Sequence, residues 1–221
     1  MVPNIFGADF SYVWPIYAIA LISYLIGSIP FGFLLTRLAG LGDIRNIGSG
    51  NIGTTNVLRT GRKGLAFATL LLDFIKGVGT VLAASIYGPD CAWVAGLSVV
   101  IGHMFPIWLK FRGGKGVATA LGVIFALSWL IGVVVGSVWL IVFLMGRYAS
   151  LSSVVAIPSS PVLFFLLLLL QKNGGLPNWL PGEPSHVSLF GVLAVLVLAR
   201  HHGNIRRLLN GTESRVLLRR P

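Results

Sequence analysis

VATALGVIFALSWLIGVVVGSVWLIVFLMG fills residues 117–146 without a single charged side chain. Roughly 20 apolar residues cross a bilayer as one helix, so this run is long for one span and short for two. Its reading sets the parity of every later segment, and so the membrane face on which the polar residues meet. Three segments rich in Lys and Arg surround it: 45–63 (Arg45, Arg59, Arg62, Lys63), 110–115 (Lys110, Arg112, Lys115), and the end of the chain from Arg200 onward, with Arg206, Arg207, Arg215, Arg219 and Arg220. The positive-inside rule puts all three in the cytoplasm. If 117–146 crosses once, Arg147 falls outside and the basic C-terminus ends on the wrong face. If it folds as a tight pair of spans, turning between Ser128 and Gly136, both fall inside. The expected fold is therefore all-α: a polytopic integral membrane protein of seven transmembrane helices, N-terminus outside and C-terminus cytoplasmic. Each member of the pair, at about 15 residues, reaches only about 22 Å. The pair must then thin the bilayer or be shielded by neighbours. Five spans, with this region partly re-entrant, is the alternative.

Composition agrees with a membrane-embedded chain. Of 221 residues, 55% are hydrophobic and 10% charged, at a mean hydropathy of +0.87, far outside the range of a soluble domain. Further apolar runs include VWPIYAIALISYLIGSIPFGFLL and SLSSVVAIPSSPVLFFLLLLL. No basic stretch precedes the first run, so it does not read as a cleavable signal peptide. The formal charge of +11 does not point to nucleic acid, because no stretch is long and polar enough to fold as a soluble basic domain. The single cysteine, Cys91, excludes an intramolecular disulfide. One transmembrane domain spanning 1–221 is expected, with a short flexible end from about residue 212. QKNGGLPNWLPGEPSH, residues 171–186, reads as an outer-face connection.

NIGSGNIGTTN, residues 46–56, contains the spacing GxGxxG at Gly48, Gly50 and Gly53. A dinucleotide fold would need a soluble βαβ unit around it, which this sequence lacks. What remains is a loop of glycines interleaved with Ser49, Asn51, Thr54, Thr55 and Asn56. Such a loop can turn N–H groups toward an anion, with a helix start behind it and Arg59 within reach.

KFRGGKG, residues 110–116, repeats the theme: Lys115 stands between Gly114 and Gly116. Gly116 occupies the place where a Walker A loop needs Ser or Thr, which weakens an ATPase reading. In RHHGNIRRLL, His201 and Asn204 are three apart and share a helix face, while His202 points elsewhere. Asp73 and Lys76, three apart inside an apolar run, read as a structural ion pair. His103 stands near an inner helix end and is placed to hold the adjoining loop. Ser150 and Ser153 follow Arg147 on the same cytoplasmic level. Asp43 reads as the only carboxylate near these loops. With no cluster of Asp, Glu, His or Cys, metal-dependent phosphoryl transfer and the aspartate-rich CDP-alcohol phosphotransferases are disfavoured.

GSIPFGFLL, RNIGSGNIGTTNVLR, LLDFIKG, GHMFPIWLKFRGGKGVATALG, RYASLSS and RHHGNIRRLLNGTE, in order from about residue 25 to 213, resemble the bacterial acyl-phosphate:glycerol-3-phosphate acyltransferases of the PlsY type. That resemblance implies a seven-helix enzyme of the bacterial inner membrane, its active site facing the cytoplasm. It would acylate the sn-1 hydroxyl of glycerol 3-phosphate from acyl phosphate, giving lysophosphatidic acid and phosphate. No cofactor or metal is implied, and a monomer is expected. By motif, Ser49, Arg59, Lys115, Ser153, His201 and Asn204 match the family's active-site polar residues. Gly48, Gly50, Asn51, Gly53, Thr55 and Asn56, with Gly114 and Gly116, match its phosphate-binding elements. The chain departs in a longer loop around 172–186 and in extra N-terminal residues.

An activated acyl phosphate needs chiefly alignment and stabilisation of negative charge, which cations supply. The expected division has Ser49 and loop amides on the acyl-phosphate head group, with Arg59, Lys115, His201 and Asn204 sharing the two phosphates. The hydroxyl proton goes to His201 or to a substrate phosphate. A phosphate-ester transporter is the rival from another class, although it would hold its site near the bilayer midplane. A non-catalytic assembly subunit is the third reading.

Overall fold

The computed structural model describes residues 10–177, 179–180 and 182–216, with side chains from Trp14 onward; Arg219 and Arg220 lie outside the described residues. Ten α-helices follow one another among them: α1 (Phe10–Gly27), α2 (Phe31–Leu38), α3 (Thr54–Leu58), α4 (Lys63–Ser85), α5 (Pro89–Met104), α6 (Val117–Leu127), α7 (Trp129–Gly146), α8 (Ala149–Lys172), α9 (Ser185–Arg200) and α10 (His202–Leu209). The breaks follow local chemistry. Pro30, which has no N–H to donate, separates α1 from α2. Gly88, at φ +111°, ends the connection into α5, and Pro89 opens that helix where its missing donor does no harm.

The charge-free run 117–146 divides at Ser128, whose backbone is extended at φ −154° and ψ 95°. The division is unequal: α6 has 11 residues and α7 has 18. Gly132 lets α7 lie close on α6, since a Cβ there would stand 2.5 Å from Phe125 Cα. Among the described residues five stretches are long and apolar enough to cross a membrane: Trp14–Leu38, Lys63–Ser85, Pro89–Leu109, Trp129–Gly146 and Ala149–Lys172. The pair α9 and α10, bent by 63°, adds a sixth when counted as one span, and α6 is shorter.

In lipid the hydrophobic effect does not press helices together, so close packing must. A Cβ on Gly77 of α4 would sit 2.4 Å from the Thr119 carbonyl, and one on Gly122 of α6 would sit 2.2 Å from the Phe74 carbonyl. These two glycines set the spacing of the α4–α6 pair. The main core runs through α5, α6, α8 and α9, where Val99, Val123, Ile157 and Leu193 are fully or almost fully buried and the rings of Phe164 and Phe190 meet edge on at 5.2 Å. Phe67, Leu71, Leu82, Leu140 and Leu144 point outward, the lipid-facing pattern of a membrane bundle. A smaller apolar plug of Ile44, Ile52, Val57, Ala66 and Leu109 fastens the glycine loop to α4 and to the turn after α5. Segments distant in sequence thereby meet at one cavity.

Candidate active site

The glycine loop is built around Asn56, which is buried beneath it. Its Nδ2 donates to the carbonyls of Ile44, Ile47 and Asn51 at 3.0, 2.9 and 2.7 Å, and its Oδ1 accepts from Ser49 N at 3.0 Å. Gly48, at φ +57°, permits this: a Cβ there would fall 2.5 Å from Asn56 Oδ1. Asp43 closes the turn ahead of the loop, pairing with Arg45 at 2.6 Å. The bonds from Arg45 hold its carboxyl below the usual carboxylate range. The arrangement revises the expectation for Asn56, whose amide is spent on the loop itself. The amides of Ser49, Gly50 and Gly53 are likewise bonded within the loop. The loop therefore offers the cavity its hydroxyls, Ser49, Thr54 and Thr55, together with Arg59 from the end of α3.

Lys115 arrives from the turn between α5 and α6. Its Nζ donates to Asn204 Oδ1 on α10. Burial lowers the Lys115 ammonium to about 8; Glu213 opposes that fall, while Arg207, Arg200 and Arg59 add to it. Lysine here is still largely charged at neutral pH but close to titration.

The 63° bend between α9 and α10 falls at His201. His201 Nδ1 lies 2.8 Å from the Val197 carbonyl. A carbonyl only accepts, so Nδ1 donates, and a neutral ring then keeps its lone pair on Nε2. His202 is exposed and turned away. Arg200 leaves the cavity as well, donating to the carbonyls of Gly114 and Gly113 at 3.3 and 3.2 Å.

α8 contributes Ser150 and Ser153. Ser153 Oγ donates to the Ala149 carbonyl at 2.7 Å and accepts from Trp139 Nε1 at 3.0 Å. Ser150 Oγ donates to Glu213 Oε1 at 2.7 Å.

Glu213 corrects the reading that Asp43 is the only carboxylate near the basic loops. Its carboxylate also accepts from Asn204 Nδ2 at 2.6 Å and from Arg207 Nε at 2.7 Å. Burial works to raise it, but the bonds from Asn204, Ser150 and Arg207 prevail and hold it below the usual carboxylate range. Residues 212–216, expected to begin a flexible end, fold back over the site. Ser214 Oγ accepts from Arg59 at 2.7 Å, and Val216 N donates to the Arg147 carbonyl at 2.9 Å. The sequence signal was there: Glu213 is the sole acid in the basic terminal segment.

These groups enclose a cavity of about 600 Å³. Every residue matched by motif to the active-site and phosphate-binding positions lines it except Gly50, which opens onto a neighbouring hollow with Arg45 and Arg112, and Gly114, which packs on His103. Asp73 and His103 also reach its wall. The rest of the lining is apolar: Leu70 of α4, Val117, Ala118 and Leu121 of α6, and Gly136 and Trp139 of α7. Among the described residues no group of three or more His, Cys, Asp or Glu side chains could hold a metal ion.

Cationic and hydroxyl groups continuous with a hydrocarbon-lined slot in an apolar helical bundle define an integral membrane protein with a polar cavity open to an apolar extension. Comparison with known proteins carries this further. The chain belongs to the glycerol-3-phosphate acyltransferase family, whose model matches residues 17–211. A glycerol-3-phosphate acyltransferase of Brucella anthropi is 50% identical over 193 residues, covering 87% of this chain and 89% of that relative. One from Mesorhizobium japonicum is 49% identical over 193 residues, covering 87% and 92%. Among solved structures, the glycerol 3-phosphate form of PlsY, an integral membrane glycerol 3-phosphate acyltransferase, is similar at a TM-score of 0.81 and 38% identity, over 91% of this chain and 95% of that one. Its lysophosphatidic acid form is similar at 0.79 and 36% identity.

Proposed function

We propose that this chain transfers a fatty acyl group from acyl phosphate to the sn-1 hydroxyl of glycerol 3-phosphate, releasing lysophosphatidic acid and inorganic phosphate. The observation that carries the reading is the convergence of Ser49, Arg59, Lys115, Ser153, His201 and Asn204, from four distant segments, on one cavity with an apolar extension. Two phosphate-bearing substrates need several fixed donors close together, and the donor's hydrocarbon chain needs a dry channel. The slot between α4, α6 and α7 takes the acyl chain; Arg59, Lys115 and Asn204, with the loop hydroxyls, divide the phosphates.

In the reaction the acceptor's C1 hydroxyl oxygen bonds to the acyl carbon, and the bond from that carbon to the phosphate oxygen breaks. Arg59 stabilises the charge gathering on the departing phosphate, and Lys115 holds the phosphate of glycerol 3-phosphate. His201 Nε2 accepts the hydrogen bond from the attacking hydroxyl and aims it, and the proton finishes on the released phosphate. Glu213 stays ionised among its donors and orients Asn204 rather than acting as the base.

Seven crossings, with the N-terminus outside and the active site cytoplasmic at the inner membrane of a bacterium, fit the division of 117–146 at Ser128. Arg147 then shares a face with the C-terminal segment, a placement supported by the bond from Val216 N to its carbonyl. We take the working unit to be a monomer, since one chain supplies every side chain the proposed reaction uses.

The test is release of inorganic phosphate by purified protein from palmitoyl phosphate and glycerol 3-phosphate without added metal. Acyl-CoA and acyl carrier protein thioesters should give none, and the product should lose its acyl chain to a phospholipase specific for sn-1. Turnover that needs a thioester donor would overturn the proposal. His201→Asn should lose most turnover; a near-normal pH profile would remove the histidine from the mechanism.

A further inference from the structure

Beneath the cavity, Lys76 and Asp73 of α4 and His103 of α5 form a buried chain of contacts, exposed by 5, 2 and 5%. Lys76 Nζ lies 2.8 Å from Asp73 Oδ1, and it donates to the Ile29 carbonyl at 3.0 Å, at the break between α1 and α2. His103 Nδ1 stands 3.4 Å from the same Asp73 oxygen. The other edge of the imidazole rests on the loop that carries Lys115: a Cβ on Gly114 would fall 1.9 Å from His103 Nε2. The loop backbone is also tied to this end of α5, with Gly114 N donating to the His103 carbonyl at 3.0 Å and Gly113 N to the Met104 carbonyl at 3.2 Å. Arg200 holds the opposite side of the same two glycines through their carbonyls.

A buried ion pair inside a membrane span is rarely the most stable filling for the space, since a well-packed apolar pair does as well or better. Here the pair ends on a ring, and the ring ends on the peptide next to Lys115. We propose that Lys76, Asp73 and His103 are positioning residues for Lys115, a brace that fixes the height and direction of its ammonium in the cavity. Asp73 orients the imidazole, Lys76 anchors Asp73 to the α1–α2 break, and the flat ring is the shelf on which Gly114 sits. The glycine is required because any side chain would displace the shelf.

The inference rests on the reading of Lys115 as a ligand of substrate phosphate, and its test separates the two. Asp73→Leu combined with Lys76→Met removes both charges together, so the fold should survive, as judged by thermal unfolding in detergent. This double variant should raise KM for glycerol 3-phosphate by about 10- to 100-fold, the range for losing a group that orients a ligand, with kcat changed far less. Independently of turnover, pH-dependent acetylation of the Lys115 amine, followed by mass spectrometry, should shift from its wild-type profile. Glu213, Arg207, Arg200 and Arg59, the other charged groups facing Lys115, are untouched by these substitutions. A folded double variant with unchanged KM and an unchanged Lys115 labelling profile overturns the brace. If the double variant does not fold, His103→Phe carries the same test, because it keeps the ring and removes the contact with Asp73. If Lys115→Ala leaves KM unchanged while labelling still shifts in the brace variants, the brace stands and the ligand role of Lys115 falls.

Discussion

Lys115 makes the site's dependence on pH calculable. With its ammonium lowered to about 8, it is about 90% charged at pH 7, half charged at pH 8 and about one-tenth charged at pH 9. With Lys115 as a phosphate ligand, as proposed, the anion-binding form is the protonated one, so kcat/KM for glycerol 3-phosphate should be near its plateau at pH 7 and fall about tenfold per pH unit above 8. An ordinary exposed lysine would place that fall above pH 10. Lys115→Arg keeps a positive charge at every accessible pH. It should remove the alkaline limb up to pH 10 while lowering the plateau, because a guanidinium does not reproduce the single bond to Asn204 Oδ1. The assay is initial phosphate release at limiting glycerol 3-phosphate from pH 6 to 10, with donor hydrolysis subtracted. A limb at pH 8 that persists in Lys115→Arg would assign it to another group and refute the reasoning.

Three further outcomes follow from the geometry. Glu213→Gln takes away a carboxylate that supports the Lys115 charge, so the alkaline limb should move below pH 8; a limb that moves upward or stays would deny that coupling. Asn56→Ala leaves the Ile44, Ile47 and Asn51 carbonyls and the Ser49 N–H without their partner, which should destabilise the fold by about 3 kcal/mol or more, read as a lowered midpoint of thermal unfolding in detergent. Gly136→Leu fills the slot between α6 and α7, where a Cβ at Gly136 would already stand 3.9 Å from Leu121 Cδ2. Turnover of palmitoyl phosphate should drop well below that of octanoyl phosphate, and equal losses for both would place the acyl chain elsewhere.

Much of this site was legible before any fold was known, because membrane insertion imposes strict bookkeeping on charge. The division of 117–146 followed from the need to keep Arg147 and the terminal arginines on one side, and Ser128 is where the chain breaks. What sequence reasoning missed is chemistry that depends on three-dimensional neighbours. Asn56 looks like one more small polar residue of a phosphate loop, and only its bonds to three carbonyls show that it holds the loop together. Glu213 is separated from Ser150 by 63 residues, and its role appears only when the terminal segment folds back over α8 and α10. The unequal lengths of α6 and α7 were equally hidden, since hydropathy is uniform along the run and only Gly132 against Phe125 favours the turn at its early end.

The cavity joins a polar end to a hydrocarbon-lined slot without a partition. A molecule that carries a phosphate head and a fatty tail on one backbone satisfies both halves at once, with the second half bound at high effective concentration once the first is seated. The reaction on this reading starts from one such molecule, the acyl phosphate, and makes a second, the acylated glycerol phosphate. The product should therefore compete with the donor for the whole cavity, and a membrane already rich in it should slow the enzyme without any separate regulatory site.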